Sequence, residues 1–302
     1  IESDVGLVQT SSLEEDLEAT VEKLRVSPLR DPAAVDALAR RLEELACTMV
    51  IADISPLGLK VAHRLGIPSI LIENFTWDWI YAGYSDAPED LQINASEMAG
   101  IFSGADLRIQ TRPVCNEVEI STGVPPVART PRCSRAETRD LLQVPDGDPM
   151  VLLSMGGVPW NFSLLDRLEG QDRAWIVVPG GSRQPKRRGR LLLLPFHSGM
   201  YHPDLVYASD LVVGKLGYST VSEAFAAGAA FAYVARPRFP ESPVLARFVR
   251  AHLASDEISE QEFANGEWVN GIEHLLDIRQ RTAGAANGAQ LAASAILARF
   301  PE

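Results

Sequence analysis

The chain has 302 residues, of which 46% are hydrophobic and 23% charged, the balance of an ordinary water-exposed globular protein with room for two domains. A net charge of −12 argues against duplex nucleic acid or an anionic membrane surface as the main partner, because both reward clustered cations. The three cysteines, Cys47, Cys115 and Cys133, form no CxxC pair and the five histidines show no HxH or HxxxH spacing, which disfavours a disulfide framework or a zinc centre. With no apolar run near the ~20 residues a bilayer span needs and no visible signal peptide, the expected compartment is a reducing cytoplasm.

In chain order, IESDVGLVQT reads as a strand and turn. SSLEEDLEATVEKLRV starts a helix with Ser12 as N-cap and Glu15 three residues on, and 31–46 forms a second amphipathic helix. CTMVIADIS (47–55) is a short buried strand ending in Asp53, which either orients a ligand hydroxyl or caps the helix at 56–66. IPSILIEN (67–74) is a second strand, the aromatic run ENFTWDWIYAGY (73–84) follows, and ADLRIQ (105–110) is a third strand after another helix. Strand, helix and strand at these lengths make parallel α/β units. Residues 111–149, rich in Pro, Arg and Thr, read as an irregular connection with one short helix at RAETRDLL, and the domain boundary is placed there, giving 1–145 and 146–302.

The second half repeats the theme. Strands are expected at 149–157, 174–181, 190–196, 210–215 and 230–236, alternating with helices that include 220–228 and 242–253, and a small-residue helix closes the sequence. Such alternation predicts a doubly wound sheet whose ligands sit beyond the carboxyl ends of its strands. The basic run QPKRRGR (184–190) reads as a solvated loop.

Three stretches carry candidate chemistry. In GKLGYSTVSE (214–223), Gly214 and Gly217 allow unusual backbone angles, Ser219 or Thr220 can cap the following helix, and Lys215 adds a cation. A helix N-terminus with those neighbours suits a phosphate, and Glu223 one turn on suits a vicinal diol; spacing alone leaves a tight structural turn equally open. SMGGVPW (154–160) places Gly156 and Gly157 at another strand-to-loop junction, and in RPRFPESP (236–243) Glu241 sits in a proline-stiffened loop. Asp78, between Trp77 and Trp79, is either part of an aromatic core or a base of raised pKa.

These residues carry a resemblance. DLVVGKLGYSTVSEAFAAGAAFAYVARPRFPESPVLARFV resembles the nucleotide-sugar-binding region of GT-B glycosyltransferases, and more closely the glycosyltransferase-like N-terminal region of L-arabinokinases. IADISPLGLKVAHRLGIPSILIENFTWDWIYAGY, SMGGVP, RTPRCSRAETRDLL and ANGAQLAASAIL are similar to further stretches of that region. The resemblance implies a GT-B architecture: two Rossmann-like, doubly wound α/β domains facing a cleft, an acceptor-side domain at 1–145 and a donor-binding domain at 146–302. It implies that Glu223 binds the ribose of a UDP-sugar, that Gly214, Gly217, Ser219 and Thr220 hold the diphosphate, and that Glu241 holds the donor sugar. Gly156 and Gly157 would form the glycine turn, and Lys215 would stabilise the departing UDP with no metal and no separate cofactor. The family's amino-terminal glycine-rich turn and first βαβ unit have no counterpart among these residues. Nor has the glycine- and serine-rich ATP loop of the arabinokinases, so kinase activity is not implied for them.

The expected reaction is transfer of a sugar from a UDP-sugar to an acceptor hydroxyl or amine, with Asp78 as candidate base. A non-catalytic nucleotide-sugar sensor or scaffold of the same fold is the alternative; a UDP-sugar 2-epimerase is a third reading, without a convincing set of acidic and histidine residues. The sugar, the acceptor and the oligomeric state are not legible.

Overall fold

The computed structural model describes residues 5–155, 164–277 and 286–301. Its chain divides into two compact units, Ile1–Val127 with Arg238–Val244 and Asn287–Glu302, and Ala128–Pro237 with Leu245–Ala286.

The first unit opens with a small hairpin, β1 (Val8–Gln9) and β2 (Glu15–Asp16), followed by α1 (Leu17–Arg25) and α2 (Pro32–Glu44). Ser12 does not cap α1: that role falls to Asp16, whose carboxylate accepts from the Ala19 N–H at 2.8 Å, because the hairpin holds Ser12 one turn too early. The main sheet runs β3 (Val50–Asp53), β4 (Ser69–Glu73), β5 (Leu107–Thr111) and β6 (Thr122–Val124), all parallel and in chain order. Helices α3 (Pro56–Leu65), α4 (Trp77–Ala82) and α5 (Glu89–Ser103) connect the first three strands. Ser55, not Asp53, caps α3 by accepting from the Gly58 N–H, and Gly66 closes that helix at φ +67.

Successive residues of β4 face opposite layers, as the two-residue period of a strand requires. Leu71 packs with Ala52, Leu57, Leu91, Met98 and the aromatic residues of α4, whereas Ile70 packs with Ile109, Val124, Ala292 and Ile296. The last two belong to the final helix, Gly288–Arg299, whose first N–H bonds the Pro126 carbonyl at 3.0 Å. The domain division expected at 145/146 is therefore corrected at both ends. The final helix completes the first unit's core, and the polypeptide enters the second unit at Ala128.

The second unit contains α6 (Arg135–Leu142), β7 (Met150–Ser154), α7 (Leu165–Glu169), β8 (Trp175–Pro179), β9 (Lys186–Arg188), β10 (Leu191–Leu194), α8 (His202–Ala208), β11 (Leu211–Lys215), α9 (Tyr218–Ala227) and β12 (Ala230–Val234). After α10 (Ser242–His252) come β13 (Ser255–Glu257), α11 (Glu260–Asn265) and α12 (Ile272–Asp277). The sheet order is β13-β12-β11-β7-β8-β10-β9, parallel throughout except for β9. The basic run expected as a loop thus supplies an edge strand at Lys186–Arg188, where cations on an exposed edge discourage further pairing. β7 to β10 run to one side of the sheet and β11 to β13 to the other, so the strand order reverses between β7 and β11.

That reversal is held from below. Arg139, with no exposed surface, donates to one oxygen of Asp210 at 2.8 Å and to the carbonyls of Pro145, Asp148 and Ala208, while Arg135 donates to the other Asp210 oxygen at 2.8 Å. The Met150 N–H also donates to Asp210 at 2.9 Å. Asp210 leads directly into β11 and Met150 opens β7, so one carboxylate fixes the starts of both central strands.

Candidate functional site

At the carboxyl ends of β7 and β11 lies a pocket of about 640 Å³. Ligands of doubly wound sheets bind at such a switch point. Gly214 makes the approach of the two strands possible: a Cβ there would lie 1.8 Å from the Ser154 carbonyl oxygen. Its value is space, not backbone freedom, since neither it nor Gly217 adopts a positive φ. Gly217 is the N-cap of α9, in extended conformation and with no side-chain cap bond. Ser219 and Thr220, expected as caps, instead occupy the first turn, because the helix starts at Tyr218, two residues earlier than the pattern predicts.

Lys215, Gly217, Ser219 and Thr220 all line the pocket, whereas Gly214 and Glu223 of the same stretch do not. The ten-residue α9 directs its positive end there, beside the Lys215 ammonium. Gly156 and Gly157 lie outside the described residues.

Glu223 is 4% exposed. One carboxylate oxygen accepts from Arg129 Nε at 2.7 Å, and the other is 3.0 Å from His202 Nδ1. Burial pushes its carboxyl up, but the bonds and charges of His202 and Arg129 outweigh this and hold it below the usual carboxylate range. His202 Nε2 in turn stands 2.9 Å from Ser154 Oγ. Arg129 also lies over the Tyr201 ring, 5.6 Å from its centroid, and buried Asp204 accepts from the Arg132 and Cys133 N–H groups at 2.6 and 3.2 Å. The 129–133 segment is thereby tied to the start of α8.

Sequence reasoning missed Arg129, His202 and Ser154. Ser154 stood inside a quoted motif, where the glycines drew attention. His202 opens α8 in HPDL and was visible only as a scattered histidine.

Glu241 is not a lining residue of this pocket and falls within the first unit. It accepts from Asn74 Nδ2 at 2.6 Å and is 4% exposed, while neighbouring Pro240 packs so closely on Gly83 that a Cβ there would meet it at 2.6 Å. Asp78 occupies the first turn of α4, and its Oδ1 is buried without a hydrogen bond among the described residues. Trp77 stacks on Tyr81 at 5.8 Å, and the Tyr81 hydroxyl donates to the Gly6 carbonyl at 2.7 Å, so the aromatic run is mostly core. Nearby Glu73 is raised by burial, opposed by the charge and bonds of Arg108 and Gln110; the charge of Asp78 pushes in the same direction as burial. Asp53 ends β3, exposed, and pairs with Ile72 in the ladder to β4.

Comparison with known proteins decides the fold. Spinosyn forosaminyltransferase SpnP matches with a TM-score of 0.60 over 93% of this chain and 83% of its own, at 13% identity. The fold is GT-B. The Arabidopsis thaliana UGT89C1 structure, complexed with UDP, matches with a TM-score of 0.56 over 92% of this chain and 79% of its own, at 11% identity. By sequence, the L-arabinokinase of Arabidopsis thaliana is 28% identical over 297 residues, 96% of this chain. The chain spans 28% of that relative's length. No family profile matches the sequence. Among the described residues no helix is long and apolar enough to cross a membrane.

Proposed function

We propose that this GT-B chain binds the UDP portion of a nucleotide sugar at the β7–β11 switch point and transfers the sugar to an acceptor hydroxyl or amine. The observation that carries the reading is the meeting of Lys215, Ser219, Thr220 and the positive end of α9 in one pocket. In that arrangement the first-turn N–H groups and the Lys215 ammonium hold the diphosphate and stabilise the charge that grows on it as the sugar departs. UDP bound to a protein of the same fold supports the choice of nucleotide.

Glu223 keeps spare acceptor capacity but is buried and does not line the pocket, so ribose recognition needs a covering partner to move. Arg129 is the partner that can yield, because its side chain is 53% exposed. Asp78 is the proposed base for the acceptor proton, a role for which its buried, unbonded Oδ1 must first be uncovered. Glu241, buried on Asn74, takes a donor-sugar role in this reading only if it is uncovered.

Calorimetric titration with UDP tests the proposal. Wild type should bind, Lys215→Ala should bind about tenfold more weakly, a loss of about 1.4 kcal/mol, and Glu223→Ala should lose affinity as well. No binding to the wild type would sink the reading. UDP release from a UDP-sugar, with or without acceptor, separates an enzyme from a nucleotide-sugar sensor of the same fold.

A further inference from the structure

The pocket holds a second arrangement, which shares Glu223, Lys215 and the start of α9 with the proposed nucleotide site. Ser154 ends β7, His202 begins α8 and Glu223 lies on α9; 48 residues separate the first pair and 21 the second. Three separate elements therefore place Ser154 Oγ, the two ring nitrogens of His202 and Glu223 Oε2 in one line, with steps of 2.9 and 3.0 Å. The Glu223 carboxylate is acceptor-only when ionised, so Nδ1 of a neutral His202 carries the proton and donates it to Glu223. Nε2 then presents its lone pair to Ser154, whose hydroxyl donates into it. Arg129 Nε, at 2.7 Å from the other oxygen, keeps the carboxylate oriented.

A network that merely satisfied buried polar groups would be sealed, yet Ser154 and His202 both line the pocket. The same cavity is lined by Lys215 and by the first turn of α9, whose N-cap Gly217 supplies no side-chain acceptor for the leading N–H groups. Met155, Phe196 and Met200 add apolar wall. A hydroxyl with a base, an orienting acid, and donors able to receive developing negative charge are the parts of a nucleophilic acyl-transfer site.

We propose that Ser154 is a nucleophile activated by His202 and Glu223, and that the pocket cleaves small O-acyl esters when no nucleotide occupies it. As Oγ attacks the ester carbonyl carbon, its proton passes to His202 Nε2, the C–Oγ bond forms and the carbonyl electron pair moves onto oxygen. That oxyanion faces Lys215 and the α9 N–H groups. Its collapse breaks the bond to the leaving alcohol, which takes the proton from Nε2 and departs. Water then attacks the acyl-serine with the same proton route, releasing the carboxylic acid and restoring Ser154. The sum is ester plus water giving acid plus alcohol, with no redox change. Glu223 remains ionised throughout and stabilises the transient imidazolium.

The full chain is treated with a fluorophosphonate probe, which phosphonylates only activated serines, and the adduct is located by peptide mapping; hydrolysis of p-nitrophenyl acetate is followed in parallel. One adduct on Ser154 is expected, with hydrolysis falling at least tenfold in both Ser154→Ala and His202→Gln, and with no labelling in His202→Gln. An unlabelled Ser154 in the wild type overturns the proposal, and so does labelling or hydrolysis that survives His202→Gln. The wild-type result does not depend on how the variants fold.

Discussion

The two parallel sheets differ in the order of their strands, and that difference accounts for where a ligand can enter. In the first unit β3 to β6 follow one another in chain order, each connection stepping the same way, so no gap opens between neighbouring strand ends. In the second unit the connections step one way from β7 and the other way from β11, the reversal at which doubly wound sheets bind their ligands. The pocket stands there, with Gly214 letting the strands approach and Lys215 at the rim. The sheets also meet solvent differently: β3 is an edge with Ile51 53% exposed, whereas every residue of β7, β10 and β12 is buried.

This contrast can be broken from its strongest support downward. Arg139→Ala takes one of the two arginines from Asp210 and the shared donor from the carbonyls of Pro145, Asp148 and Ala208, and urea unfolding should show a loss of about 3–5 kcal/mol. Gly214→Ala sets a Cβ against the Ser154 carbonyl and forces β11 from β7, at about 3 kcal/mol in the same assay. A change of less than 1 kcal/mol in either would show that the reversal does not depend on that contact. Ser55→Ala removes the α3 cap in the other unit and should cost about 1 kcal/mol while leaving UDP affinity unchanged.

A pH series sharpens the same comparison. Glu223 titrates below its ordinary value of 4.5, so its bonds to Arg129 and His202 contribute stability that is present above that value and lost as pH falls through the depressed one. Between pH 5 and 3 the wild type should lose stability more steeply than Glu223→Gln. Parallel slopes would mean that the carboxylate gains nothing from its partners.

Much of the second unit was legible because its strands are short apolar runs set between helices, and runs of that length bounded by turn residues fit strands buried on both faces. GKLGYSTVSE was legible as a strand-to-helix junction, since a lysine and hydroxyls between a buried strand and an amphipathic helix have few other uses. The bonding of Glu223 was not. Arg129 is 94 residues away and His202 is 21 away, and neither distance follows from any local pattern. Within the stretch at 111–149, residues 116–121 read as irregular because a single side chain organises them. Gln110 donates to Glu73 and to the Asn116 carbonyl at 2.7 and 2.8 Å, and accepts from the Val118 N–H and the Ser121 hydroxyl at 2.9 Å each. Strand β6, three residues long, follows directly from that clamp. The fate of the final helix was equally hidden, because small residues spaced for close packing do not name the surface they pack on.

That helix also sets a schedule for synthesis. Ile70, Ile109 and Val124 lose their solvent only when Ala292 and Ile296 arrive, and by then the ribosome has added every residue of the second unit. At roughly 5–20 residues per second, the nascent first unit waits on the order of 10–30 s with one apolar face of its sheet open. Before that interval ends the second unit has gained all of its strands, so the half of the molecule made last is the first able to finish.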